Sequence, residues 1–231
     1  MRMMAAFEKG AELRFIGHLD LMRTIQRALR RSGLPIKYSN GFNPHIRLSF
    51  AAPLSVGVAG TRERMEVPLE DGVSPEVFQA QLNRVLPPSM AVRFARPVED
   101  TFPTLMSLVA GSEYTLQMDH SEASREAAAH FDAFMALDSY VAARRTKSGE
   151  NPCDIRPFVK EGKLEETENG FIIRLTTLCT SAGALKPALW LKCLCEFAGV
   201  EPVEGMIYRE RVLAKDKSGQ LIPMEDYQDA R

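Results

Sequence analysis

The chain is poor in the residues that mark special classes of protein. Four cysteines in 231 residues, all in the second half, are too few and too badly spaced for a secreted disulfide scaffold. Cys193 and Cys195 form the one close pair, and on a helix i and i+2 point to different faces, so packing residues are expected before zinc ligands. Long apolar runs are missing too: uncharged ones such as 105–111 (LMSLVAG) fall far short of the ~20 residues a bilayer span needs. No apolar segment followed by a small-residue cleavage site opens the chain, and a cytoplasmic protein is expected. The phosphate loop G-x-x-x-x-G-K-[ST], the dinucleotide fingerprint G-x-G-x-x-G, the elbow G-x-S-x-G and the zinc helix H-E-x-x-H do not occur, nor does the iron–sulfur pattern C-x3-C-x2-C. No cofactor and no metal is therefore expected.

What is present is ordinary in amount, 45% hydrophobic and 26% charged, but unevenly charged along the chain. Residues 1–50 hold nine Lys and Arg against Glu8, Glu12 and Asp20, a surplus of six cations in a protein whose net charge is -1. A basic front on an acidic body implies an anionic partner met by one face.

Hydrophobic period and turn residues divide the chain into two successive β-α-β-β-α-β orders. In the first, 2–9, 46–52, 61–69 and 90–97 read as strands, and 18–32 and 74–85 as helices stopped or started by Gly33, Pro35 and Ser74. In the second, 112–118, 139–147, 155–166, 171–178 and 206–214 read as strands, and 121–137 and 184–197 as helices, with an Asn169-Gly170 hairpin signal. The expected fold class is α+β, tandem ferredoxin-like units with antiparallel sheets. Domain 1–98 would be joined by the 98–106 linker to domain 107–215, and 216–231 would form a loosely held polar tail.

Two features carry chemistry. At ~100° per residue, Arg23, Arg27, Arg30 and Arg31 share one helix face opposite Leu21, Met22, Ile25, Ala28 and Leu29. A solvated face shows such a pattern; so does a surface for nucleic acid, and no acid interrupts the stripe after Asp20. The segment 38–57 then packs Tyr38, Phe42, Asn43, His45 and Arg47 among turn-formers, either as a stiff structural loop or as a stacking platform for bases beside a cation. His18 and His45 are the candidates for general acid–base cleavage of RNA, against the plainer roles of helix cap and loop anchor. A smaller basic group, Arg144, Arg145, Lys147 and Arg156, stands in the second half.

These residues also resemble a known group. Arg14-Phe15, Gly17-His18-Leu19-Asp20, Arg27-Ala28, Arg30-Arg31, Leu34-Pro35, Tyr38-Ser39, Gly41 to His45, Ser49-Phe50, Pro53-Leu54, Gly57 and Glu63 are similar to a bacterial radical S-adenosylmethionine-associated family, a domain of unknown function. Weaker likeness continues through 154–157, Lys186-Pro187 and Tyr208-Arg209. The resemblance implies a cobalamin-binding radical S-adenosylmethionine protein as partner. Its association with an RNase of the E/G type and with ribosomal proteins implies a setting in RNA metabolism. Ile46-Arg47, where the family commonly has proline and lysine, and the acidic second half depart from the pattern.

Three functions are thus expected in order. The first is a non-catalytic accessory protein that binds RNA through Arg23, Arg27, Arg30, Arg31, Tyr38, Phe42, Asn43 and Arg47 for a separate radical enzyme. The second is a metal-independent ribonuclease or RNA-modifying enzyme using His18 and His45. The third is a protein-binding module that meets the radical enzyme without RNA.

Overall fold

The computed structural model describes residues 1–70, 72–146, 149–180 and 183–228, so Lys147 and the tail residues 229–231 lie outside it. It is a mixed α+β protein whose described strand pairs are antiparallel. Two compact units form: Met1–Val109 with Arg209–Arg231, and Ala110–Tyr208. The first contains β1 (Arg2–Lys9), α1 (His18–Arg31), β2 (Ser49–Phe50), β3 (Val58–Pro68), α2 (Pro75–Asn83), β4 (Val92–Val98) and α3 (Leu105–Leu108). The second contains β5 (Gly111–Asp119), α4 (Glu122–Ala129), α5 (Phe131–Met135), β6 (Val141–Thr146), β7 (Gly149–Asp154), β8 (Val159–Thr167), β9 (Gly170–Thr180), β10 (Gly183–Ala184) and α6 (Pro187–Phe197). The boundary falls inside β11 (Gly205–Lys215), after which β12 (Leu221–Pro223) ends the ladder.

In the first unit the strands run β4-β1-β3-β2. The central β1 is buried on both faces, which suits its near-continuous apolar sequence RMMAAFEK. Met3, Ala5 and Phe7 of β1, with Met65 and Val67 of β3, face α1 and α2 through Leu21, Ile25, Leu29, Phe78 and Leu82. Helix α1 follows the expected apolar stripe and stops before Gly33, whose φ of 76° is open to glycine at no steric cost. Ser74 caps α2, accepting from Val77 N–H at 3.3 Å. Met4 and Val98 point to the opposite sheet face, where Leu105, Val212 and Met224 cover them.

The strand expected over 46–52 shrinks to two residues. Leu48 N–H donates to Ile46 O at 3.0 Å, a local i to i+2 closure that takes both groups out of any ladder. The tail expected to be loose is held instead. β12 pairs β11 from Leu213↔Pro223 to Lys215↔Leu221, and Asp216 Oδ1 accepts from the Ser218 and Gln220 amides, both at 2.9 Å, to form the turn. The Ser218 hydroxyl, which donates to Asp216 Oδ1 at 2.7 Å, and then those amides hold the Asp216 carboxyl below its ordinary value. Beyond the turn, Met224 is fully buried, and Glu225 forms ion pairs with Arg62 at 3.5 Å and with the buried Arg64 at 2.5 Å.

In the second unit β9 lies between β5 and β8, and β10 extends the β8 side. The Asn169-Gly170 turn forms where expected; a Cβ on Gly170 would sit 1.9 Å from Met118 O, so close strand approach there requires glycine. The helix expected over 121–137 is broken at His130 into α4, with a Ser121/Ser124 capping box, and α5. An unforeseen strand, β7, pairs with β6 as a separate ladder. Trp190 of α6 is buried edge-on against Phe131 and Phe134. Cys193 and Cys195 are wholly buried free thiols, and burial pushes the Cys193 thiol up to about 11.

The return of β11 alongside β3 brings Arg209 onto Glu63, and both side chains are almost fully buried. Arg209 Nε donates to Glu63 Oε1 at 2.8 Å and Nη2 donates to Oε2, while Nη1 and Nη2 reach Pro53 O and Ala52 O at 3.2 and 3.0 Å. Gly60 leaves room for this carboxylate, since a Cβ there would lie 2.6 Å from Glu63 Oε1. A pair this desolvated is costly to break by halves. Arg209→Ala is expected to lose about 3–5 kcal/mol of unfolding free energy in a urea titration, and Glu63→Met with Arg209→Met together markedly less; equal losses would show that packing, not the stranded charge, sets the cost.

Candidate nucleic-acid interface

Helix α1 presents Arg23, Arg27, Arg30 and Arg31 to solvent, as its apolar spacing predicted. Arg23 meets Asp20 at 3.2 Å, an exposed pair worth about 0–1 kcal/mol that an anion readily replaces. Arg31 donates to Val85 O at 3.2 Å. Among the described residues no carboxylate lies within ion-pair distance of Arg27, Arg30 or Arg31.

The loop after α1 is a short hairpin-like projection. Its neck is closed by the Tyr38↔Ile46 bridge, by Ser39 N–H donating to His45 O at 2.9 Å, and by a 2.7 Å hydrogen bond between Ser39 Oγ and His45 Nδ1. Gly41, at φ 126°, makes the turn that glycine alone takes without strain. At the tip Phe42 is fully exposed and Asn43 is exposed beside it; Tyr38 is 45% exposed. Phe42 is the most exposed of the large apolar side chains among the described residues.

Lys37 and Arg47 stand at the base of that projection and line an open cleft of about 620 Å³ with Leu48, Ser49, Phe102 and Thr104. Arg2, Glu66 and Pro68 form its floor, and these residues share the sheet face opposite α1. Arg47 therefore does not continue the α1 stripe. The sheet stands between them.

The two imidazoles are not brought together. His18 packs edge-on against Phe50, with centroids 5.3 Å apart, while His45 is exposed and bonded to Ser39. No contact joins them among the described residues; Gly17, not His18, is the N-cap of α1 and no side-chain hydrogen bond caps it, whereas His45 is tied to Ser39 across the neck of the loop. In the second unit, Arg156 spends its donors on the carbonyls of Met135, Leu137 and Val159 and Arg144 reaches Ala184 O; Lys147 lies outside the described residues.

Sequence reasoning missed the cleft residues Arg2, Asp100, Phe102 and Thr104, which converge only through strand register. It also missed an exposed apolar group, Phe15, Leu19 and Val56, 67%, 63% and 61% exposed. Gly57 N–H donates to Arg14 O at 2.8 Å and ties the two loops that carry it. Beneath them the buried Lys9 Nζ donates to Arg14 O and Val58 O at 3.1 and 3.3 Å.

A family profile matches residues 2–187. The chain belongs to the family described as uncharacterized protein conserved in bacteria, DUF2344. The DUF2344 match takes in α1, the loop and the cleft, and stops before Arg209. No curated protein matches the chain in sequence. Among solved structures, a chain of the crystal structure of a Cbf5-Nop10-Gar1 complex is similar over 91% of this chain and 48% of that one, with 12% identity and a TM-score of 0.53. That likeness concerns fold alone, and this chain spans about half of the other's length. An unknown protein from Galdieria sulphuraria aligns over 90% of this chain and 97% of that one at 12% identity, with a TM-score of 0.26, which supports no argument. No helix among the described residues is long and apolar enough to cross a membrane.

Burial lowers the Lys9 ammonium below its ordinary 10.5, against the attraction of Glu63. Between the lowered value and 10.5 the unfolded chain binds the extra proton, so this residue's contribution to stability rises with pH in that window. Denaturant midpoints of the wild type and Lys9→Met, compared from about pH 8 to about pH 10, should move apart in the wild type's favour; parallel curves would show that Lys9 is not desolvated.

Proposed function

We propose that this DUF2344 protein is a non-catalytic accessory protein that binds RNA and presents it to a separate enzyme. The observation that carries the reading is the row Arg27, Arg30 and Arg31, exposed and, among the described residues, unopposed by any carboxylate. Arg23 extends the row, and Tyr38, Phe42, Asn43 and Arg47 supply the stacking and polar contacts that unpaired bases require. The resemblance described above supplies the enzyme, a cobalamin-binding radical S-adenosylmethionine protein, and a cytoplasmic setting goes with it. We read each unit as ferredoxin-like. Support comes from the order β4-β1-β3-β2 in the first and from β8-β9-β5, followed by the start of β11, in the second.

Four arginine–phosphate contacts on a single strand give a log–log salt slope of about -2.8, so affinity falls ~50-fold between ~50 and ~200 mM salt. Arg27→Glu with Arg30→Glu should abolish binding of a structured RNA in a filter or fluorescence titration. A salt-independent affinity, or an unaffected double variant, removes the reading.

One observation favours a second reading, a protein-binding module. Phe15, Leu19 and Val56 leave apolar side chains bare beside Arg14, whose guanidinium lies 4.4 Å over the Phe15 ring. In that case co-purification with the radical enzyme survives nuclease treatment and is lost in Leu19→Asp; loss on nuclease treatment alone returns the interaction to RNA.

A further inference from the structure

The cleft at the base of the loop has a composition more specific than a basic surface. Its volume, about 620 Å³, is that of a small-molecule site rather than of a backbone track. The floor is fixed and internally neutral. Arg2 Nη1 donates to Glu66 Oε2 at 2.7 Å, and Ser49 Oγ donates to Glu66 Oε1 at 2.9 Å. The second arm of Arg2 is held by Phe102 O and by Glu99 O at 3.2 Å. Neither member of that buried pair is left to meet a ligand, but both keep the walls in place.

The groups that remain are of three kinds. Arg47 has no carboxylate partner among the described residues, and Lys37 has only the exposed Glu70, at 3.9 Å. Leu48, Pro68 and the half-buried Phe102 offer apolar surface. Asp100, largely exposed and 3.5 Å from the Met1 amine, and the Thr104 hydroxyl offer polar contacts on the far side. Two cations at one end, a flat apolar surface in the middle and an acceptor opposite match a phosphate ester, a planar ring, and hydroxyl or amino groups respectively.

We infer that this cleft binds one nucleotide unit, its phosphate on Arg47 and Lys37 and its base against Phe102 and Leu48. This rests on the RNA reading and deepens it: the strand held by α1 would deliver a single splayed nucleotide around the loop into the cleft. A free nucleotide has the same chemistry, and the test separates the two sources.

Isothermal titration of the full chain with AMP, GMP, CMP and UMP, and with inorganic phosphate and adenosine as controls, reads the site directly. The expected result is saturable binding of at least one nucleotide, at least tenfold tighter than phosphate or nucleoside, and weakened at least tenfold in both Arg47→Glu and Lys37→Glu. No binding, binding equal to that of phosphate, or binding that ignores both substitutions overturns the inference. Competition then names the source: displacement by a single-stranded oligoribonucleotide assigns the cleft to a nucleotide within RNA, and nucleotide binding that the oligonucleotide leaves unchanged assigns it to a free nucleotide. Saturable nucleotide binding by a chain with no affinity for RNA overturns the RNA reading while leaving the cleft a nucleotide site. The reverse result removes the cleft alone.

Discussion

The first unit is organised around a carboxylate and a guanidinium buried together. Glu63 and Arg209 lie 146 residues apart and are almost wholly removed from water, a state that costs several kcal/mol per ion unless every donor is answered. Here four of the guanidinium's hydrogen bonds are in place: two join the ions, and two backbone carbonyls of the 51–57 loop accept from Nη1 and Nη2. Lys9 sits on the same strand system with its charge turned towards Glu63 and its protons on carbonyls of the two loops that bear Phe15 and Val56. The shape of those loops is therefore set from below by ionic hydrogen bonding, because they are too short to build an apolar core of their own.

That arrangement also sorts the surface. In the first unit the sheet carries α1 and α2 on one face and the 99–104 turn, α3 and residues of the C-terminal segment on the other. Positive charge gathers on both sides, along α1 and at the base of the 38–46 projection, and the exposed Phe42 ring stands at the edge between them. A flexible anionic chain is suited to such a surface because it can turn at the edge, whereas a rigid duplex would touch one side only.

Much of this was readable in the residues. The limits of β1, the span of α1 and the Ser74 cap follow from period and capping chemistry, since a local pattern there meets no competing tertiary demand. The 38–57 segment announced itself by its density of glycine, proline and asparagine. Other features were hidden for physical reasons. Arg64 and Glu66 alternate with the apolar Met65 and Val67 as they do on a half-exposed strand, yet the face they occupy is covered by distant segments. The break at His130 interrupts a sequence with uniformly good helix propensity, where packing of Phe131 and Phe134 on Trp190 prevails. The cleft had no sequence signal, because residues 2, 47, 66 and 102 meet only once β1, β3 and β4 are in register.

The return of the chain into its first unit has a consequence for synthesis. A ribosome completes the whole of Ala110–Tyr208 before it adds Arg209, so the unit begun second is made in one stretch and the unit begun first is completed only after it. Until then Glu63 has no guanidinium to receive it, Arg64 has no Glu225, and the sheet face beneath Val212 and Met224 is open to water. The nascent front half emerges with acid groups set in its future interior, and its closure waits for synthesis of Arg209 to Glu225.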